Sequence, residues 1–248
     1  MRGARVTVLV SPSPCGRGSG RGSSKRELRE KIFCAPTRAA PTVVFITESS
    51  CGLERTCDVI AHAARALRPG SFCVQLRDKT DAARRAAWAP VLRTVTRRHD
   101  ALLLVNGDVD LAIAIGADGA HVASHDVSMT RARLGPSALV TTPAHVDDDV
   151  RRAQDAGASA ALVSPIFATP GEGKAAPRGI AAIENARAIA AASQSELAIL
   201  ALGGIDAQCV EDCAEAGADG VAVIRALYEA DDPAKIALLL ADPWARRL

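Results

Sequence analysis

Three polar side chains close the stretch FCVQLRDKT, residues 72–80: Gln75, Arg77 and, two positions on, Lys79. Spacing by two puts Gln75 and Arg77 on one face of a strand, and Lys79 lies just past the expected strand end. An amide and two cations ending an apolar run suit either bulk water or an anionic ligand. The same choice recurs along the chain. Asn106 closes ALLLV, His121 sits in GAHV with Asp126 beyond it, and Ser164, Thr169 and Lys174 follow AALV. Gly203 and Gly204 follow LAILAL, and Arg225 follows GVAVI. Together they describe a cationic, amide-lined cup for an anion, with Asp126 able to offer oxygen to a hard metal ion. His121, on an apolar strand, reads first as a core histidine, and His145 as a loop residue.

These residues form one site only if the elements that carry them share an edge. From Pro41 onward short apolar runs alternate with Ala-rich helical stretches. The runs are 42–47, 72–76, 101–105, 119–122, 138–142, 160–165, 197–202 and 220–224. Between most of them lie helix candidates at 57–67, 82–98, 109–115, 147–156, 180–192, 207–216 and 233–240. Near-continuous apolar strands separated by helices indicate a parallel sheet covered on both faces. Eight units in about 200 residues fit a compact (β/α)8 TIM barrel, whose sites lie at the C-terminal strand ends. Three similar joints, AIGADGAHV, DAGASAALV and EAGADGVAV, place a glycine between a helix and the next strand. An open doubly wound sheet is the rival, but no Gly-rich dinucleotide fingerprint is present. A Gly-Gly pair after strand seven and a cation after strand eight suit the phosphate site common in such barrels.

Composition agrees with one α/β domain over residues 41–248. The chain has 248 residues, 48% of them hydrophobic and 23% charged, and no apolar run approaches the length of a membrane span. Cysteines 15, 34, 51, 57, 73, 209 and 213 lack metal-ligand spacing and read as reduced thiols of a cytoplasmic protein. The net charge of +2 hides an asymmetry: residues 1–40 hold nine Lys/Arg and two Glu, hence +7, leaving −5 for the remainder. Residues 1–40 form a basic Gly/Ser/Arg-rich tail expected to be disordered. With no aromatic residues among its arginines, it lacks the stacking side chains of a nucleic-acid arm.

At the strand ends the sequence resembles the thiamine phosphate synthase and thiazole tautomerase family. VQLRDK, LLLVNGDVDLAIAIGADGAHVASHD, AHVDDDVRRAQDAGASAALVSPIFATP and LALGGIDAQCVEDCAEAGADGVAV carry the resemblance in order over about residues 43–230. It implies a phosphate-binding barrel, often a homodimer, that joins aminopyrimidine methyl diphosphate to thiazole phosphate and releases pyrophosphate with the help of Mg2+. By motif, Gln75, Arg77, Lys79 and Asn106 would hold the pyrimidine diphosphate, with Lys174 approximating a further diphosphate lysine. Thr169, Gly203, Gly204, Ile224 and Arg225 would fall on the thiazole phosphate side. Asp126 would bind the metal.

The chain also departs from the family pattern. Gly107 stands where a second metal carboxylate is expected, with Asp108 adjacent; Pro143 replaces a serine. A Thr-x-Thr-Lys run becomes TPGEGK, and a Val-Ser pair becomes Ile224 and Arg225. These departures leave a divergent phosphate-binding relative as an alternative to a synthase. A tautomerase-like isomerase is a further one, although Pro165 takes the place of its catalytic histidine and cannot move a proton.

Overall fold

The computed structural model describes residues 40–169, 175–193 and 196–247. The expectation for the tail over 1–40 falls outside these residues but for Ala40. Eight strands run β1 Val43–Ile46, β2 Phe72–Leu76, β3 Leu102–Asn106, β4 Gly119–His121, β5 Leu139–Ala144, β6 Ala160–Val163, β7 Ala198–Leu202 and β8 Gly220–Val223. Each pairs parallel with the next and β8 returns to β1, closing the barrel. All eight fall on the expected apolar runs.

The helices are α1 Leu53–Ala66, α2 Ala82–Arg98, α3 Val109–Ala114, α4 Val127–Leu134, α5 Asp147–Asp155, α6 Ala181–Ala192, α7 Val210–Glu215, α8 Arg225–Tyr228 and α9 Pro233–Ala245. Helices α4 and α8 were not expected. Among its eight residues α4 buries only Val127 and Thr130, too few to write an apolar stripe. Helix α1 begins four residues before its expected start, because Gly52 at its N-cap offers no side-chain signal.

Alternation divides the strand residues into two layers. Val44, Ile46, Cys73, Leu102, Leu104, Leu139, Leu162 and Leu200 fill the barrel interior. Their neighbours, such as Phe45, Val74, Leu103, Val163 and Val221, pack outward against the helices. Continuing the inward row toward the C-terminal rim brings in Gln75, Asn106, His121, Thr141 and Ser164. The register supports this, since His121 stands opposite both Asn106 and Thr141.

The three glycine joints share one construction at the opposite rim. Gly116, Gly157 and Gly217 all take positive φ, the backbone region glycine enters without a Cβ penalty. In each joint the next amide reaches back five residues: Ala117 to Ala112, Ala158 to Ala153 and Ala218 to Cys213, at 2.9–3.0 Å. The side chain after that, Asp118, Ser159 or Asp219, accepts the amide of Leu103, Val140 or Ile199 from the preceding strand. Each acceptor is also bonded by an arginine from a neighbouring helix: Arg93, Arg131 and Arg187. Register is thereby fixed at the N-terminal rim by polar bonds, away from the expected site.

Gly119 and Gly220 open β4 and β8 where the adjoining backbone leaves no room for a side chain. A Cβ on Gly119 would lie 1.9 Å from the Leu139 carbonyl oxygen, and one on Gly220 would lie 2.5 Å from that of Thr42. Gly119→Ala should therefore force β4 and β5 apart. We expect a loss of about 3 kcal/mol, at the upper end of overpacking costs, read as a lower urea midpoint.

Candidate functional site

Strand β2 delivers Gln75, Arg77 and Lys79 to the barrel mouth. Gln75 is 2% exposed, and its Oε1 is buried without a hydrogen-bond partner among the described residues. A buried carbonyl oxygen left unpaired costs free energy unless a ligand supplies a donor. The Arg77 backbone is held by Thr47, whose Oγ1 accepts the Arg77 amide at 2.9 Å. Among the described residues, no hydrogen bond or ion pair engages the Arg77 guanidinium or the Lys79 ammonium group. Both cations act on His121. Burial first, then the charges of Lys79, Arg77 and His145, push its pKa down to about 4. The imidazole is therefore neutral at neutral pH, and its Nδ1 lies 2.9 Å from Thr141 Oγ1.

A second group gathers where β7, β8 and the loop after β1 meet. A cavity of about 750 Å³ is lined by Ser50, Cys51, Thr169, Gly203, Gly204, Ile224 and Arg225, with Glu48, Asp206 and Glu229 among its other walls. Gly203 and Gly204 both have positive φ. A Cβ on Gly204 would meet the Ala168 carbonyl oxygen at 2.6 Å, so the pair lies tight against the loop after β6. Arg225 is exposed, and no described residue pairs with its side chain. The β1 loop is pinned by Tyr228: the Glu48 amide donates to Tyr228 Oη at 3.1 Å, and that oxygen lies 2.8 Å from Thr56 Oγ1.

The two carboxylates considered for a metal differ. Asp126 ends a short 3-10 turn after β4, and its side chain is 41% exposed, with His125 Nε2 at 3.4 Å. Asp108 is engaged on both oxygens. Its Oδ1 accepts the Leu111 amide at 2.9 Å, capping α3, and its Oδ2 accepts from Arg85 at 3.0 Å. The Leu111 amide outweighs the opposing desolvation and, with Arg85, holds this carboxyl below its usual range. Among the described residues no three His, Cys, Asp or Glu side chains converge as a metal cage. Lys174 lies outside the described residues.

The residue pattern did not single out Asp78, and it placed Ser164 at the rim and His145 in a loop without joining them. Ser164 Oγ lies 3.2 Å from His145 Nδ1, which joins the loops after β5 and β6. Asp78 is buried between Arg77 and Lys79 in sequence, and its alternation with them was the available signal that it faces elsewhere. Of the carboxylates of the β7–β8 cavity, Asp206 and Glu229 were missed because they follow β7 and β8 by four and six residues, beyond the reach of alternation, and Glu48 because the sequence pattern did not mark the loop after β1.

The thiamine monophosphate synthase family model matches residues 43–227. A thiamine-phosphate synthase of Haloarcula marismortui is 37% identical over 198 residues, covering 79% of this chain and 92% of its own length. One from Gloeobacter violaceus is also 37% identical, over 181 residues, or 72% of this chain and 51% of that longer protein. Thiamine phosphate pyrophosphorylase of Pyrococcus furiosus superposes with a TM-score of 0.70 at 23% identity, covering 85% of this chain and 98% of its own. That structure shares the fold. No helix among the described residues is long and apolar enough to cross a membrane.

The depressed His121 pKa makes a signed prediction. Its folded value, about 4, lies below the ordinary 6.5, so the unfolded chain binds more protons between those pH values and stability falls as pH drops through them. His121→Gln should remove this part of the acid sensitivity, on the order of 2–3 kcal/mol. Urea titrations of both proteins at pH 7 and pH 4 measure the difference.

Proposed function

The chain belongs to the thiamine monophosphate synthase family and functions in thiamine phosphate synthesis, and we propose that its two residue groups bind the two halves of the product separately. The reading rests above all on the cations Arg77 and Lys79, whose side chains no described residue pairs, beside the Gln75 oxygen that no described residue bonds. In it, the strand-two group holds aminopyrimidine methyl diphosphate. Arg77 and Lys79 face the diphosphate, Gln75 Oε1 accepts a hydrogen bond from the pyrimidine, and Asn106 borders the ring.

The cavity at β7 and β8 takes thiazole phosphate. Gly203 and Gly204 allow the backbone close to its phosphate, Thr169 offers a hydroxyl, Ile224 walls the cup, and Arg225 adds a cation where a hydroxyl would serve less strongly. Lys174 is proposed to join the diphosphate side from the loop after β6.

The reaction breaks the bond between the pyrimidine methyl carbon and the diphosphate oxygen, whose electron pair leaves with pyrophosphate. The thiazole nitrogen lone pair forms the new carbon–nitrogen bond. The protein positions the partners and stabilises the charge that grows on the leaving group. Because His121 is neutral and half-buried, it serves as a wall of the pyrimidine pocket without competing for the phosphates.

Magnesium fits this donor set through Asp126 and substrate oxygens, since that ion is commonly held by one or two carboxylates plus phosphate. It would supply Lewis-acid neutralisation of the diphosphate. Asp108 could join only by giving up Arg85, so we assign it to capping and to holding that arginine.

Pyrophosphate release and thiamine phosphate formation by purified protein with both substrates and magnesium test the reading. Arg77→Ala should lower kcat/KM for the pyrimidine diphosphate about 100-fold, the scale of a lost charge-assisted contact to a leaving group. Arg225→Ala should raise KM for thiazole phosphate about tenfold with kcat little changed. Chelation of magnesium should stop turnover while thiazole phosphate still binds. Absence of product from the unaltered protein under these conditions would overturn the assignment.

A further inference from the structure

Between the two cations of the strand-two loop lies an anion that neither of them touches. Asp78 is buried, its side chain 4% exposed. Its Oδ1 accepts from the Thr80 amide at 3.1 Å, the Thr80 hydroxyl at 3.1 Å and the Asp81 amide at 3.0 Å. Its Oδ2 accepts from Arg84 Nε at 2.6 Å. Of the roughly four acceptor positions of an ionised carboxylate, both on Oδ1 are taken up by its three donors and one on Oδ2 by Arg84. Arg84, first among them, holds this carboxyl well below the usual carboxylate range against the opposing cost of burial.

The arrangement matters because of what Asp78 would otherwise do. It is the acidic residue next in sequence to both Arg77 and Lys79, and a free carboxylate there would compete with a phosphate for their charge. Arg84 instead draws it toward the start of α2, where Asp81 caps the helix by accepting the Arg84 amide at 2.8 Å. Arg84 also reaches Ser49 in the β1 loop at 3.2 Å. The adjacent Arg85 binds the Asp78 carbonyl oxygen at 2.7 Å and Asp108 at 3.0 Å. One helix turn thus fastens the loops after β1, β2 and β3. The field of Arg77 and Lys79 is left directed inward, where it depresses the His121 pKa.

We propose that Asp78 and Arg84 are a positioning pair that keeps the Asp78 charge out of the anion cradle, leaving Arg77 and Lys79 free for the diphosphate. The proposal rests on the reading that this loop meets the diphosphate, and its test is separable from turnover. Binding of inorganic pyrophosphate with magnesium chloride, and of thiazole phosphate, is measured by calorimetry on the full chain and on Arg84→Gln, Asp78→Asn and the double variant.

Arg84→Gln releases a carboxylate beside the cations and should weaken pyrophosphate binding about tenfold, the scale of one unit charge a few ångströms away at intermediate dielectric. Thiazole phosphate affinity should hold. Adding Asp78→Asn removes the released charge, keeps an oxygen for Thr80 and Asp81, and should restore pyrophosphate affinity to within about threefold of the unaltered protein. Thermal melts report whether each variant is folded.

A purely structural role predicts the opposite pattern: a double variant at least as weak as Arg84→Gln, or equal losses for both ligands. Either result overturns the pair. Undiminished pyrophosphate binding by Arg84→Gln overturns it too, as does absence of pyrophosphate binding by the unaltered protein. A protein that shows the rescue pattern yet makes no thiamine phosphate retains the positioning pair and loses the assigned activity.

Discussion

Closure of the parallel barrel is the constraint from which the rest follows. A closed ladder of eight strands leaves no sheet edge, but it requires each strand to keep its register with two neighbours. Here much of that requirement is met at the N-terminal rim. Asp118, Ser159 and Asp219 each tie the start of their own strand to the start of the one before, with an arginine behind the acceptor. With alignment secured there, the C-terminal rim can hold groups that pair poorly with one another, such as an amide oxygen and two cationic side chains without partners among the described residues. The cost of those unsatisfied groups is borne by a scaffold whose polar bonds lie at the other end.

The strands were legible because their rule is simple: runs buried on both faces are apolar throughout, and a change to polar residues marks the rim. Gln75, Arg77 and Lys79 could be read from alternation alone. The glycine joints were legible as well, since positive φ at a helix end leaves a glycine in the sequence. Their side-chain ties were not, because the acceptor differs in type and its arginine comes from another helix. Helix α9 runs through Pro243 to Ala245, past the expected end at Leu240. An interior proline is a poor stop signal when tertiary contacts continue beyond it: Trp244 donates its indole N–H to the Ala218 carbonyl oxygen at 2.9 Å.

Site residues were legible as types more than as partners. Asp108 shows why. Beside Gly107, its sequence position suggested a displaced metal ligand, yet an aspartate two residues past a strand and three before a helical amide is also well placed to cap that helix. Only the fold brings Arg85 across to its other oxygen. The Ser164 and His145 contact likewise joins consecutive loops 19 residues apart, which no local pattern records.

Net charge is a poor guide to what this mouth attracts. Residues 41–248 carry −5 in total, which by itself would repel a diphosphate. The sign that matters is set by which charges remain unpaired at the rim. Arg84 and Arg85 are spent on Asp78 and Asp108, while no described residue pairs with Arg77, Lys79 or Arg225. Two arginines thus take up the carboxylates beside the strand-two loop, and the cations left over stand two strands apart on the rim, Arg77 and Lys79 after β2 and Arg225 after β8, with β1 between them. Because attraction between charges weakens within about a Debye length of 8–10 Å, an approaching phosphate responds to the charges at the rim, Glu48, Asp206 and Glu229 of the cavity wall included, more than to the net charge of the domain.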